Sequence, residues 1–237
     1  MLKEYLKKFT FLKKIVHQIK YSKEKEYKLK SLNLKKEKKT NKVILLFDLI
    51  KSSPDGGVIV ECGVGTGFTL SVISKISKKK IYAFDSFEGF PDNTSEHDHK
   101  NISKVLRFSK WHYKLMTIDL VKQNLINNDV KTDDINNKII FKKGFFPNSF
   151  KDFNEEVCFL HLDVDLYNSY KDCLEFFFPK LKKGGIVTFD EYYKDINAPS
   201  RKGWDWRGSN IAIDEYVEKN NLELLEHSTG YKYIIKK

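Results

Sequence analysis

The 237-residue chain is 41% hydrophobic and carries 43 Lys and Arg against 32 Asp and Glu, a net charge of +11, so it can bury one sizeable core in a single large domain. The charge is confined to one end. Residues 1–40 hold 14 Lys and 4 Glu, a net of +10 that leaves +1 for the other 197 residues, which excludes an overall basic field for a nucleic-acid backbone on the folded body.

Cys62, Cys158 and Cys173 are widely spaced, odd in number and set in apolar stretches, which argues against a disulfide framework or zinc site and suits a reduced, cytoplasmic protein. In chain order, Leu2, Leu6, Phe9, Leu12, Val16 and Ile19 come first and recur at helical spacing, one face of an amphipathic helix with lysines on the other. Lys3, Lys7, Lys8, Lys13 and Lys14 interrupt every apolar run short of a signal core, and no later stretch is long enough to span a bilayer. Such a helix either packs on the domain, pairs with a second copy in a homo-oligomer, or rests on an anionic membrane surface as a peripheral contact. Charge dominates residues 21–39, a connector, so the chain divides into a basic helical segment, 1–40, and a domain, 41–237.

Residues 42–50 carry Val43, Leu45, Leu46, Phe47 and Ile50, a helix-length apolar pattern closed by the breakers of 52–57. Val58, Ile59 and Val60 form a short apolar strand that runs into Glu61 and a glycine-rich turn, and 68–76 resume helical spacing. The strand signal returns at 81–84 before Asp85, 139–141 before Gly144, 158–162 before Asp163 and 186–189 before Asp190. Apolar strands separated by helical spacers predict an α/β fold, a mostly parallel central sheet with helices on both faces. Residues 222–225 and 231–235, on either side of the turn formers at 228–230, predict an antiparallel hairpin at the C-terminal edge. The run LKKGG, 181–185, reads as a helix end with glycine supplying the left-handed turn.

Ligands bind beyond the carboxyl ends of the strands in such a sheet, and Glu61, Asp85, Asp163 and Asp190 each follow a strand. The loop ECGVGTG, 61–67, places Gly63, Gly65 and Gly67 where backbone can approach a ligand. Its G-x-G-x-G spacing, with an acid two residues before the first glycine, resembles motif I of class I methyltransferases rather than the dinucleotide fingerprint. Asp85, about twenty residues further on, is placed to accept hydrogen bonds from ribose hydroxyls. LHLDVDLYNSY, 160–170, sets Asp163 and Asp165 at one strand end, and FDEYY, 189–193, sets Asp190 and Glu191 at the next. Adjacent parallel strands bring these carboxylates together, where they repel unless a cation is bound, and an all-oxygen set favours a hard ion such as Mg2+.

The ordered pieces ECGVGTG, FDSFEGFP (84–91), KGFFPNSF (143–150), LDVDLY (162–167), KKGGIVTFDEYY (182–193) and AIDEYV (212–217) together resemble the macrocin O-methyltransferase (TylF/MycF) family over about residues 58–217. The resemblance implies a Rossmann-like class I methyltransferase fold, S-adenosylmethionine as cofactor, and O-methylation of a sugar, a sugar-containing small molecule or a glycan precursor. Carried over position by position, it implies Asp163, Asp190 and Glu191 as metal ligands, a catalytic role for Asp163 and Asp165 with Asp165 as general base, and Glu61, Gly63, Gly65, Asp85, Ser86 and Phe87 as the residues that hold the cofactor. Thr66 and Gly67, which complete the loop, and Gly144, after the third strand, are assigned with them. Val164 and Glu191 stand where the antibiotic-sugar members have Gly and a second Asp, so the macrolide acceptor is not carried over.

Methyl transfer needs an electrophilic sulfonium methyl held in line with an oxygen nucleophile, so much of its rate comes from positioning. A Mg2+ ion chelating two acceptor oxygens lowers the proton affinity of one, and a carboxylate such as Asp165 can then take the proton. Acceptor recognition is expected from residues 92–115, with Trp111, His112 and Tyr113, and 197–210, with Trp204 and Trp206, although indoles often pack beneath a loop instead. His97 and His99 read as solvated or metal-binding, and His161 as a core histidine or, beside Asp163, a catalytic one. Two rivals remain. A nucleic-acid N-methyltransferase lacks support because LDVDLY replaces the tetrapeptide of acid or Asn, two prolines and an aromatic that such enzymes place after strand four, and a non-catalytic scaffold docking through the basic helix would keep the fold without needing its acids.

Overall fold

The computed structural model describes residues 38–92, 94–98, 116–192 and 207–237, with side chains from Asn41 onward. The chain divides into two compact units, Met1–Ile44 and Leu45–Lys237, and the second holds the whole sheet. The helix expected on Leu2 to Ile19 lies outside the described residues.

Helix α1 (Lys38–Ser52) crosses the division, and β1 (Val58–Cys62), α2 (Phe68–Ile76), β2 (Ile81–Asp85), α3 (Ile118–Asn127), α4 (Thr132–Asn137), β3 (Ile139–Lys143), β4 (Val157–Leu162), α5 (Tyr167–Phe177), β5 (Leu181–Phe189), α6 (Arg207–Lys219), β6 (Leu225–Glu226) and β7 (Lys232–Ile235) follow. The seven strands lie in the order β3-β2-β1-β4-β5-β7-β6. The first five are parallel, β7 runs antiparallel to β5, and β6 pairs antiparallel with β7, which is the expected α/β sheet with its hairpin at the C-terminal edge. Strand order reverses between β1 and β4, and the crevice at such a switch point is where ligands enter these sheets.

Side chains alternate across the sheet. Val60, Cys62, Phe84, Leu160, Leu162, Val187 and Phe189 lie in one core with Tyr170, Cys173, Leu174 and Phe177 of α5 and Ile213 of α6, and Phe177 meets Phe84 and Phe153 edge-on at 5.2 Å each. The intervening Ile59, Ile81, Ala83, Phe159 and Ile186 are buried as well, so both faces are covered, as a parallel sheet requires. Within that second face runs one polar row. Glu61, His161 and Thr188 are in register across β1, β4 and β5 and each is wholly buried.

Residues 181–185 are not a helix end. Helix α5 stops at Phe177, Pro179 lies in the 3-10 turn Phe178–Lys180, and β5 starts at once with Leu181. The expected left-handed glycine is present, Gly184 at φ 75°, but it belongs to a bulge. Pairing with β4 jumps from Val157↔Leu181 to Phe159↔Ile186, while the Gly184 amide donates to the Lys236 carbonyl at 2.7 Å. Surplus residues are thus extruded on the β4 side while bonding continues at the end of β7 on the other side. Among the described residues no helix is long and apolar enough to cross a membrane.

Candidate active site

Parallel register delivers the candidate residues to one edge. Cys62 pairs with both Phe84 and Leu162, and Leu162 pairs with Phe189, so Gly63, Asp85, Asp163 and Asp190 leave the sheet together. The glycine loop rises directly from β1. Gly63 has φ 84°, donates to the Phe84 carbonyl at 2.9 Å, and packs so closely that an added Cβ would lie 1.9 Å from the Asp163 carbonyl oxygen. At Gly65, φ 51°, an added Cβ would meet nothing within 4 Å, so that residue forms the open rim of the loop. Gly67 precedes α2 as its N-terminal cap, and the Thr66 carbonyl accepts from Asn124 of α3 at 3.1 Å.

Asp85 knits these pieces into one unit. Its Oδ2 accepts from the amides of Val64 at 2.8 Å and Gly65 at 3.1 Å, and its Oδ1 accepts from the amide of Phe87 at 2.8 Å. Phe87 holds φ 51°, a left-handed turn that the carboxylate stabilises. The Ser86 hydroxyl donates to the Gly89 carbonyl at 2.5 Å, and the Gly144 amide donates to the Asp85 carbonyl at 3.0 Å, which joins the end of β3 to the same cradle. Glu61, in β1 two residues before Gly63, is wholly buried.

The second half of the site is acidic. One ligand atom from each of His161, Asp163 and Asp190 lies within 4.8 Å of the others, and Asp163, Asp165 and Glu191 form a second such group. Asp163 belongs to both. His161, weighed in the sequence as a core residue, is at once buried and part of the cluster, and its Nδ1 lies 2.9 Å from the Thr188 hydroxyl. Asp165 holds φ 60°, the centre of a tight turn in which the Leu166 amide donates to the Val164 carbonyl at 2.5 Å. Positive φ is uncommon for a residue with a side chain and persists where the surroundings over-determine it.

Burial, followed by the charges of Asp163, Asp190 and Asp165, pushes the Glu191 carboxyl well above its ordinary value. Tyr170 of α5 is wholly buried, and its single phenolic hydrogen is shared between Glu191 and, at 3.0 Å, the Leu162 carbonyl; burial and then the charge of Glu191 push that phenol up as well. Sequence patterning does not single out Tyr170, because its partners come from β4 and from beyond β5. Removing the hydroxyl strips a buried carboxyl and a buried carbonyl of a donor, so Tyr170→Phe is expected to lose ~1–3 kcal/mol in a denaturant titration, with no change in m.

Of the weaker sequence candidates, His99, Trp111, His112, Tyr113, Trp204 and Trp206 lie outside the described residues. His97 is half-buried, with its ring 4.4 Å from that of Tyr167. Its neighbour Asp98, not singled out in the sequence, is buried; the Ser-x-x-Asp spacing of Ser95 and Asp98 was the available signal.

Comparison with known proteins agrees with this geometry. The macrocin O-methyltransferase (TylF) family profile matches residues 35–219. The chain is 27% identical over 165 residues to the 8-demethyl-8-(2,3-dimethoxy-alpha-L-rhamnosyl)-tetracenomycin-C 4'-O-methyltransferase of Streptomyces olivaceus, covering 64% of this chain and 58% of that protein. It is 26% identical over 173 residues to the demethyldecarbamoylnovobiocin O-methyltransferase of Streptomyces niveus, covering 70% and 60%. The chain thus spans about three fifths of the length of these curated relatives. The solved structure of the O-methyltransferase NovP superposes with a TM-score of 0.64 at 22% identity, over 84% of this chain and 80% of that one, a likeness of fold. The profile covers most of the chain, and the order of strands, glycine loop and acids agrees with it: this chain belongs to the macrocin O-methyltransferase family.

Proposed function

We propose that the chain is an S-adenosylmethionine-dependent O-methyltransferase that acts on a hydroxyl of a sugar or sugar-containing small molecule, with Mg2+ held by Asp163, Asp190 and Glu191. The observation that carries the reading is the direct packing of Gly63, in the glycine loop, on the carbonyl of Asp163, in the carboxylate cluster. A ligand on the loop and an acceptor at the cluster are then neighbours, as in-line transfer requires. The open rim at Gly65 and the cradle of Asp85, Ser86, Phe87 and Gly144 suit a cofactor carrying a ribose. Glu61, Gly63, Thr66 and Gly67 complete the set read as holding the cofactor.

The acids fit a divalent cation because burial and mutual repulsion make their shared charge unfavourable without one. When bound, such an ion makes an acceptor oxygen more acidic. Asp165, aimed by its positive-φ turn, takes the hydroxyl proton while Asp163 orients the acceptor. The buried cluster also counts against the scaffold alternative, since a scaffold gains nothing from carboxylates that destabilise its own fold. The relatives named above are O-methyltransferases named for a rhamnosyl-bearing tetracenomycin and for demethyldecarbamoylnovobiocin, which supports a sugar-bearing acceptor rather than nucleic acid. The basic residues 1–40 are read as a separate segment from the domain 41–237 in a cytoplasmic protein, available for self-association or for contact with an anionic membrane surface.

The test is calorimetric titration of S-adenosylhomocysteine into the full chain, followed by methyl transfer to TDP-rhamnose with Mg2+ or with chelator. Micromolar binding weakened at least about tenfold, ~1.4 kcal/mol, by Asp85→Ala is expected. Absence of binding to the unaltered chain would sink the methyltransferase reading, and turnover undiminished by chelator would remove the metal from it.

A further inference from the structure

We infer that Asp98 is a positioning residue that sets the turn carrying Asp165, an inference that rests on Asp165 being the base. Helix α5 begins without a local cap: its N-cap position is Leu166, whose side chain accepts nothing. The first amides of a helix must find acceptors elsewhere when the cap residue has none to offer. Asp98, 69 positions earlier, supplies one, its Oδ1 accepting from the Tyr167 amide at 3.0 Å. Its Oδ2 accepts from the Ser95 amide at 2.9 Å, so each oxygen is held and the carboxylate has one orientation. A negative charge at this end of α5 is also favoured by the helix dipole.

Tyr167 directly follows the turn Val164-Asp165-Leu166, in which Asp165 holds φ 60°. A turn of that kind relaxes unless both flanks are fixed. One flank is β4, through the Asp163 amide bonded to the Cys62 carbonyl at 2.9 Å. The other is Tyr167, gripped at its amide by Asp98, at its ring by His97, and at its hydroxyl by Glu215 of α6 at 2.6 Å. Gly208, in the first turn of α6, closes the arrangement. A Cβ there would stand 2.0 Å from Asp98 Oδ1 and 3.2 Å from the Tyr167 Cβ, so only glycine leaves the carboxylate in place.

That contact gives the inference a test in which Asp98 itself is untouched. Asp98→Ala and Gly208→Ala both remove the bond to Tyr167, the first by deletion and the second by eviction, whereas Asp98→Asn retains an acceptor for it. Amide hydrogen exchange on the full chain is expected to accelerate at least about tenfold at Leu166 and Tyr167 in the two alanine variants, with protection in β1 and β4 and the affinity for S-adenosylhomocysteine unchanged. Asp98→Asn should restore protection at Tyr167. With TDP-rhamnose as acceptor, kcat should fall at least about tenfold in both alanine variants with KM within about twofold, and the double variant should be no worse than either single one. Unchanged exchange at Tyr167, a uniform loss of protection throughout the domain, or wild-type kcat despite faster local exchange would each overturn the role. Failure of the unaltered chain to methylate TDP-rhamnose would count against that acceptor alone, and the exchange pattern would then decide.

Discussion

In chelator near pH 8, Asp163→Ala is expected to melt above the unaltered protein, whereas with Mg2+ present its methyl transfer falls on the order of 10³-fold below the unaltered protein's, the scale of removing one electrostatic element from an active site. The reason is that Asp163 belongs to both acidic groups and its charge is, after burial, the strongest influence pushing the Glu191 carboxyl well up. A carboxyl whose folded pKa exceeds its unfolded one binds more protons in the native state, so stability declines as pH rises from the unfolded value through the folded one. The gain from removing Asp163 should therefore be absent near pH 3, well below the ordinary glutamate value, where Glu191 is protonated in both states, and grow towards pH 8 at ~3 °C per kcal/mol of repulsion relieved. Mg2+ should raise the melting temperature of the unaltered chain and leave that of the variant in place. Melting curves at the two pH values, with and without Mg2+, read all of this, and a variant less stable than its parent at pH 8 in chelator would show that the cluster is not self-repelling.

Gly63→Ala carries the largest expected loss of stability. The new Cβ would fall 1.9 Å from the Asp163 carbonyl oxygen and 2.6 Å from its carbon, with φ at 84°. Neither neighbour is a movable side chain. The Asp163 amide bonds the Cys62 carbonyl and the Gly63 amide bonds the Phe84 carbonyl, both at 2.9 Å, so making room means parting β1 from β4 at the centre of the sheet. Overpacking of ~1–3 kcal/mol adds to a left-handed penalty of ~1–2 kcal/mol, a fall in melting temperature on the order of 10 °C. Gly65→Ala is the control, for nothing lies within 4 Å of its added Cβ. It should cost only the left-handed penalty of ~1–2 kcal/mol yet weaken S-adenosylhomocysteine binding, because its methyl projects into the open side of the loop. Equal affinity in Gly65→Ala would show that the ligand lies elsewhere.

Local chemistry was legible where one short segment contains its own reason. Runs such as 58–60, 81–84 and 158–162 are apolar enough to be buried on both faces of a sheet, and an acid marks where each nears its end, although Glu61 and Asp85 still lie within β1 and β2. The parallel sheet, the glycine loop and the placing of Asp85, Asp163, Asp165, Asp190 and Glu191 at strand ends follow from that pattern. The run 181–185 misled because a left-handed glycine ends a helix or opens a strand bulge with the same local geometry, and only pairing with β4 and β7 distinguishes them. Helices α3 and α4 were not foreseen, since they are short and bury few residues, Val121 and Leu125 in one and Ile135 in the other.

What the sequence determined by itself was therefore the inventory: which strands exist, which acids they deliver, and which family the order of motifs resembles. Tertiary structure alone decided who meets whom. Register placed His161 in the polar row between Glu61 and Thr188 and beside Asp163, crossing the sheet brought Gly63 onto the Asp163 carbonyl, and Asp98 reached the amide of Tyr167 from 69 residues away. Periodicity reports only the face on which a residue lies, whereas these contacts depend on strand order and register, which local sequence does not encode.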